Sequence, residues 1–411
     1  MKPETAAAFS LLSAKAVRER AHRLLAIGLD EGLPHFRVDL GRLDVAADLV
    51  VATTHKAYPA LDVPFHARWR HFMVGGRDRW REIDEAATWR DACERARAAF
   101  DLAIVSVLLD AGAGPQWAYR DAATGVSVGR SEGLALASLA MFAAGAFSSD
   151  PRRPLRADAA ALQSLTSDGL GHSFQVSGAN PLSGLAGRGD LLRRLGSTIA
   201  ASPEIFARVD DARPGGLFDA LAAASAGGGL PAPTILDAVL RQLGPIWPSR
   251  LELGGLALGD CWHHPALVIG DATNGLVPLH KLSQWLAYSL IEPLQVAGIE
   301  VTDIDGLTGL AEYRNGGLFI DTGVLRLRDP KAAEAQHDVA STLVVEWRAL
   351  TVALLDRLAE LVRNRLGRDA ISFPLAKVLQ GGTWAAGREI ARARRAGGAP
   401  PIKVVSDGTV F

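Results

Sequence analysis

VPLHKLSQWLAYSLIEPLQVAGIEVTDIDGLTGLAEYRNGGLFIDTGVL, residues 277–325, is the stretch around which the remaining sequence is organised. Leu279, Leu282, Leu286, Leu290 and Leu294 recur at three- and four-residue steps, the signature of one apolar helix face. Pro278 suits the start of such a helix, because its missing N–H would be unpaired there anyway. Pro293 and Gly298 mark its end. The polar side holds His280, Lys281, Gln284, Tyr288 and Glu292, with Lys281, Gln284 and Tyr288 stacked at spacings that share a face. After a short acidic connector, Asp303–Gly306, the triplet Glu312-Tyr313-Arg314 stands between apolar residues and Gly316-Gly317. Charged groups enclosed by apolar elements are costly unless paired or used.

Working outward, most of the chain carries the same helical spacing. Residues 5–33 read as one helix or two, with Leu11, Leu12, Val17, Ala21, Leu24 and Leu25 inward. Residues 36–59 read as a short extended section of irregular spacing, and Tyr58–Phe72 as a loop entering a short helix. Residues 83–113 read as a long helical region with Ile104, Val107, Leu108 and Ala111 on its face. A turn at Asp121–Gly125 precedes a buried helix, Gly129–Phe147, capped by Ser131. Helices follow over 189–201 and 234–243, then Ala332–Leu366 at near-heptad spacing and 383–395, with Ile402–Phe411 an extended tail. The expectation is a mainly α fold with few short strands, one large unit over 1–411, and mobile segments at 148–156 and 211–233.

Composition narrows the classes. Hydrophobic residues at 48% against 22% charged fit a water-soluble globular chain, and only 6% aromatics favours helix over sheet. A net charge of −1 gives no broad basic field to draw in nucleic acid. The apolar run Gly133–Phe147 is shorter than the ~20 residues a bilayer requires, so no membrane association is expected. Two cysteines, Cys93 and Cys261, are too few for a disulfide framework. The N-terminal segment, interrupted by Lys15, Arg18, Glu19 and Arg20, reads as an amphipathic helix and not a signal peptide, which points to the cytoplasm.

Several clusters carry possible chemistry, each with a plain structural alternative. Glu312 reads as a carboxylate that steadies a cationic transition state, or as a helix-capping acid or partner of Arg314. Lys281, Gln284 and Tyr288 read as a ligand wall or as a solvated face. PFHARWRHF places His66, Arg68, Arg70 and His71 within six residues, suiting a small anion held by arginine, or else an arginine-rich turn. Arg130, Arg188 and Arg388 sit near glycines and helix starts, where anions are welcome. Asp260-Cys261-Trp262-His263-His264 offers donor atoms, without the spacing of common zinc sites. The glycine run FQVSGANPLSGLAGRG lacks the Lys-Ser/Thr ending of a phosphate loop.

Two resemblances add to this. The order Lys281, Gln284, then Glu312-Tyr313-Arg314 resembles the core of queuosine 5′-phosphate N-glycosylase (queuosine salvage) proteins, over about fifty residues. It departs where that family has Asp in place of Glu312, and Val-Pro-Gln in place of Asn315-Gly316-Gly317. A broader resemblance rests on YPALDVPFHARWRHF (58–72), GRSEGLALASL (129–139), FQVSGANPLSGLAGRGDLLRRLG (174–196), LGDCWHH (258–264) and GGTWAAGRE (381–389). These are similar to the uracil-catabolism protein family of fungi and bacteria, and the likeness extends over almost the whole chain.

The resemblances imply a helical bundle akin to DNA glycosylases and an N-glycosidase acting on a ribosylurea-type or uridine-derived riboside 5′-phosphate. Glu312 would be the catalytic acid. Lys281, Arg314 and the arginines Arg68 and Arg70 would hold the phosphate, with His66, Gln284, Tyr288 and Tyr313 nearby and Trp262 or Trp384 stacking on the base or urea. No cofactor and no metal are expected, and the partner is a small phosphorylated nucleoside derivative, with association with other uracil-pathway enzymes possible. A metal-dependent amidohydrolase using His66, His71, Cys261 and His264, and a non-catalytic nucleotide-binding partner, are the alternatives.

Overall fold

Helix dominates because the leucine and alanine spacing leaves little else able to bury its apolar side. The computed structural model describes residues 2–405 except 111, 210, 226–227 and 248–249. Eight helices frame the discussion below: α1 (Ala14–Leu29), α2 (Leu43–Ala57), α3 (Ala92–Leu108), α4 (Arg130–Ala143), α5 (Lys281–Val296), α6 (Tyr313–Asp321), α7 (Thr342–Leu366) and α8 (Trp384–Arg394). Among the described residues, strands form only two-stranded pairs. The fold is mainly α.

Two helices make the centre. In α3 every residue from Ala96 to Leu108 is buried, and in α7 every residue from Leu343 to Leu355 is. A helix wrapped in apolar contacts on all sides belongs in a core, where each buried Leu, Ile or Val contributes roughly 1.5–3 kcal/mol. The helix α5 packs on α3, and α4 does so beside it. Against α7 lie α1, α2 and α6, while α8 lies on α6. One apolar cluster runs from Leu12 to Ile402, with a small satellite of Ala8, Leu11, Leu258 and Cys261.

Local chemistry moves several boundaries from where spacing put them. The central helix begins at Lys281. Pro278 instead ends β2 (Leu276–Pro278), which pairs antiparallel with β1 (Cys261–His263). That pairing competes with helix for the preceding residues, and His280 turns the chain into the helix with φ 45°. Residues 36–57 are not chiefly extended: a three-residue strand leads to α2, whose inward residues are mostly small. The 83–113 region is two helices, Arg79–Ala86 and α3, with Asp91 capping the second through Glu94 N–H. Ala111 lies outside the described residues.

Ser131 does not cap α4, because the cap position is Gly129 and the Ser131 hydroxyl donates to Asp110 at 2.6 Å. The Ala332–Leu366 helix is shorter than its apolar repeat. A strand, Gln336–Asp338, precedes Ser341, which caps α7. That strand pairs with Lys403–Val405 of the tail, and 406–411 lie outside the described residues. The segments expected to be mobile are anchored by buried arginines. Arg156 lies 3.8 Å from Asp158, and Arg213 meets Asp101 at 2.6 Å ahead of a packed helix, Gly216–Ala224. Residues 226–227 of the second segment lie outside the described residues.

Candidate functional site

The polar cluster starts at the N-terminus of α5. Asp260, on the turn before β1, accepts Lys281 N–H at 2.9 Å and Trp262 Nε1–H at 2.6 Å. Arg348 of α7 meets the same carboxylate with two nitrogens at 2.8 Å each, and its Nε reaches Ala311 O at 3.4 Å. Through Asp260, one guanidinium therefore ties the start of α5 at Lys281 to the segment that ends at Glu312. Burial pushes the Asp260 carboxyl up, but Arg348, by charge and hydrogen bond, outweighs it and holds the group at about 2. Lys281 is half-buried. Burial first, and Arg348 second, lower its pKa, against the pull of Glu312, Asp260 and Asp110.

Glu312 is the cap of α6. Its two oxygens accept Arg314 N–H at 2.9 Å and Asn315 N–H at 3.1 Å. This fixes the carboxylate at a helix N-terminus, within electrostatic reach of Lys281. Burial raises its pKa, while the two backbone donors and Lys281 oppose the rise. The guanidinium of Arg314 lies 4.8 Å from the Tyr313 ring centroid, and one of its nitrogens donates to Gly398 O at 2.7 Å. Arg314 Nε is buried without a hydrogen-bond partner. Gly387 explains how α8 comes so close: a Cβ there would enter the carbonyl of Arg314.

The motif 58–72 and the start of α4 supply the opposite wall. Arg68 is fully buried, donates from Nε to Ser106 at 2.7 Å, and lies 3.3 Å from Asp110. Asp110 in turn accepts the Ser131 hydroxyl, joining α3 to α4. Glu132 meets Arg388 of α8 at 3.7 Å, and Arg388 lies 5.2 Å from the centre of the Trp384 ring. His66 bonds Gln380 at 3.0 Å and, with His71, flanks Trp285 of α5. Arg130 opens α4 at φ 58°, exposed to solvent and in electrostatic reach of Tyr313 and Arg388.

Lys281, Arg314, Arg388, Arg130 and Arg68 thus face Glu312, Asp110 and Glu132, an excess of positive charge. The N-termini of α4, α5 and α6 add partial positive charge at the same place. A partly buried cluster with this surplus of positive charge suits an anionic small molecule. Backbone held at positive φ without glycine, as at Arg130 and His280, concentrates at functional sites.

The sequence candidates divide on this map. Lys281, Glu312, Tyr313, Arg314, Trp384, His66 and Arg68 come together. Gln284 and Tyr288 do not form the expected ligand wall. Both are fully buried and hold Thr308, through its hydroxyl at 2.7 Å and its carbonyl at 3.0 Å, because that side of α5 packs on the 307–311 segment. Arg70 turns away to Glu292 at 2.6 Å, so it does not join Lys281 and Arg314 as expected. Trp262 is buried behind Asp260 with its N–H spent there, which corrects its stacking role. Arg188 is buried against the carbonyls of Leu109 and Ser183.

Among the described residues, His, Cys, Asp and Glu side chains gather in no group of three able to hold a metal ion. His264 instead meets Glu346 at 3.2 Å, and Cys261 is buried with its thiol pushed up by burial. Asp260, read only as a possible metal donor, is instead the partner of Arg348. Asp110, Glu132, Trp285 and Arg348 were missed; Glu132 and Trp285 lie in quoted stretches, and the signal of Asp110 and Arg348 is proximity across the fold. No described helix is long and apolar enough to cross a membrane.

The chain belongs to the family described as "Protein of unknown function (DUF1688)", which matches residues 10–411. It is 39% identical over 422 aligned positions to "Protein urg3" of Schizosaccharomyces pombe, covering 100% of both chains. It is 36% identical over 409 positions to "Uracil catabolism protein 4" of Lachancea kluyveri, covering 92% of each.

Proposed function

With that family as premise, we propose that the chain acts in uracil catabolism as an N-glycosidase on a ribosylurea-type or uridine-derived riboside 5′-phosphate. The relatives' name supplies the pathway. The observation that carries the chemistry is the Glu312 carboxylate fixed beside Lys281 in a cleft with surplus positive charge. Lys281, Arg314 and Arg388 hold the phosphate, and the helix N-termini reinforce them. As the C1′–N bond breaks, positive charge develops on the sugar, and Glu312 stabilises it. Each Glu312 oxygen retains a lone pair beyond its backbone bond, enough to orient the attacking water. Hydrolysis places OH on C1′ and H on the departing nitrogen, releasing ribose 5-phosphate. No cofactor enters this scheme.

The cap bonds favour one other reading. Glu312 already has a structural task, so the cleft could bind a nucleotide without turnover, as a partner of another pathway protein. Incubating the pure protein with riboside 5′-phosphates, a ring-opened uridine phosphate included, separates the two. Free ribose 5-phosphate in the NMR spectrum supports the glycosidase. Saturable binding without release of the sugar phosphate supports the binding partner.

A further inference from the structure

Three polar atoms that no protein group satisfies gather on one side of α5. Trp285 Nε1, Arg68 Nη2 and His71 Nδ1 are each buried and without a hydrogen-bond partner. They surround a single indole: the Arg68 guanidinium carbon and the His71 ring centre each lie 5.4 Å from the centre of the Trp285 ring. The remaining guanidinium nitrogens of Arg68 are held by Ser106, Ser131 and Asp110, so its orientation is set. Leaving a buried donor or acceptor unmade costs ~1–3 kcal/mol. Three such atoms, on the indole and on two groups packed against it, are all satisfied if a polar occupant is present.

Charge decides the class of occupant. Arg68 is already offset by Asp110. His71 is neutral, because burial first and Arg68 next keep its pKa well below 6.5. A phosphate there would bring in negative charge against a guanidinium already offset by Asp110, whereas Lys281, Arg314 and Arg388 gather positive charge around Glu312. A carbonyl oxygen matches Trp285 Nε1–H and Arg68 Nη2–H, and an adjacent N–H matches the imidazole lone pair. Lys281 and Trp285 lie one turn apart on the same face of α5, so a sugar can bridge the two ends.

We propose that Arg68, His71 and Trp285 form the subsite that reads the carbonyl and N–H of an uncharged ureido or amide aglycone. The proposal rests on the glycosidase reading for the identity of the sugar phosphate, but it is tested by binding alone. In a Glu312→Gln background, calorimetry would compare N-ribosylurea 5′-phosphate with ribose 5-phosphate, before and after Trp285→Phe or His71→Phe. Trp285→Phe keeps an aromatic ring and removes the pyrrole portion with its N–H, and His71→Phe removes the imidazole lone pair while keeping an aromatic ring. Each change is expected to weaken the ureido ligand by ~10-fold, one hydrogen bond's worth, and to leave ribose 5-phosphate unaffected. Equal weakening of both ligands, no change in either, or no preference for the ureido compound before substitution would overturn the subsite. His71→Phe, at a half-buried position, serves if Trp285→Phe fails to fold. The expected pattern together with absence of turnover in the native protein would sink the glycosidase reading and leave the subsite standing.

Discussion

Glu312→Gln separates the two tasks of one carboxylate. Glutamine keeps the shape and one acceptor oxygen, but it can no longer accept both Arg314 N–H and Asn315 N–H. Loss of half a cap, ~1 kcal/mol, and of a negative charge at a helix N-terminus, ~0.3–1 kcal/mol, gives ~1–2 kcal/mol of destabilisation. For 411 residues at ~2.1 cal/mol/K each, the unfolding entropy is ~0.9 kcal/mol/K, so Tm should fall by only ~1–2 °C. The catalytic loss is of another size. A charge acting on the transition state more than on bound substrate should lower kcat by at least ~10²-fold, with affinity little changed. Calorimetric melting alongside NMR detection of ribose 5-phosphate reads both. Glu312→Asp should retain the cap and lose less turnover, since its carboxylate is drawn back by one methylene. A folded Glu312→Gln protein with undiminished turnover would refute the mechanism.

Three further outcomes are expected. Asp260→Asn leaves Arg348 buried without its counter-charge, a loss of ~3–5 kcal/mol by urea denaturation. The folded Asp260 pKa of about 2 lies below the ordinary 3.8, so its contribution is present above ~pH 4 and vanishes as pH falls towards 2. The variant should flatten the stability profile over that window, and an unchanged acid slope would count against the pair. Lys281 has its pKa lowered from 10.5, so ribose 5-phosphate affinity should decline as pH rises while still below that value, and Lys281→Arg should abolish the decline. Gly387→Ala drives a methyl into the Arg314 carbonyl, which should cost ~1–3 kcal/mol and weaken sugar-phosphate binding together. Tight binding with a normal Tm would show that α6 and α8 are not in such close contact.

Helical character was legible because leucine spacing is local, and the same holds for the ends of α8, whereas α5 starts after Pro278 and runs through Pro293 to Val296. Where a boundary depends on a distant partner, spacing misleads. Pro278 reads as a helix start until Cys261 is seen opposite it, and the helix expected from Ala332 gives way to the polar strand Gln336–Asp338, which pairs with the tail. The site was legible where its residues adjoin in sequence, as in Glu312-Tyr313-Arg314. Gln284 and Tyr288 illustrate the failure: their face is polar, yet the polarity serves Thr308. Asp110 and Arg348 carried no sequence signal because each acts only on residues brought to it by folding.

Gly387 lying against Arg314, with Gly398 receiving the Arg314 guanidinium, has a consequence for how the protein comes into being. The helix carrying Trp384 and Arg388, which packs on Arg314, is laid down after Leu379, whereas Arg68 and Asp110 on the facing side emerge early. Every contact that closes the cleft therefore joins segments far apart along the chain, the kind of pairing formed late and slowly. During synthesis the earlier helices must wait with the α6 surface uncovered, open to unwanted association. A ligand that needs both walls cannot assist until the last helix docks, after which it would favour the completed fold alone.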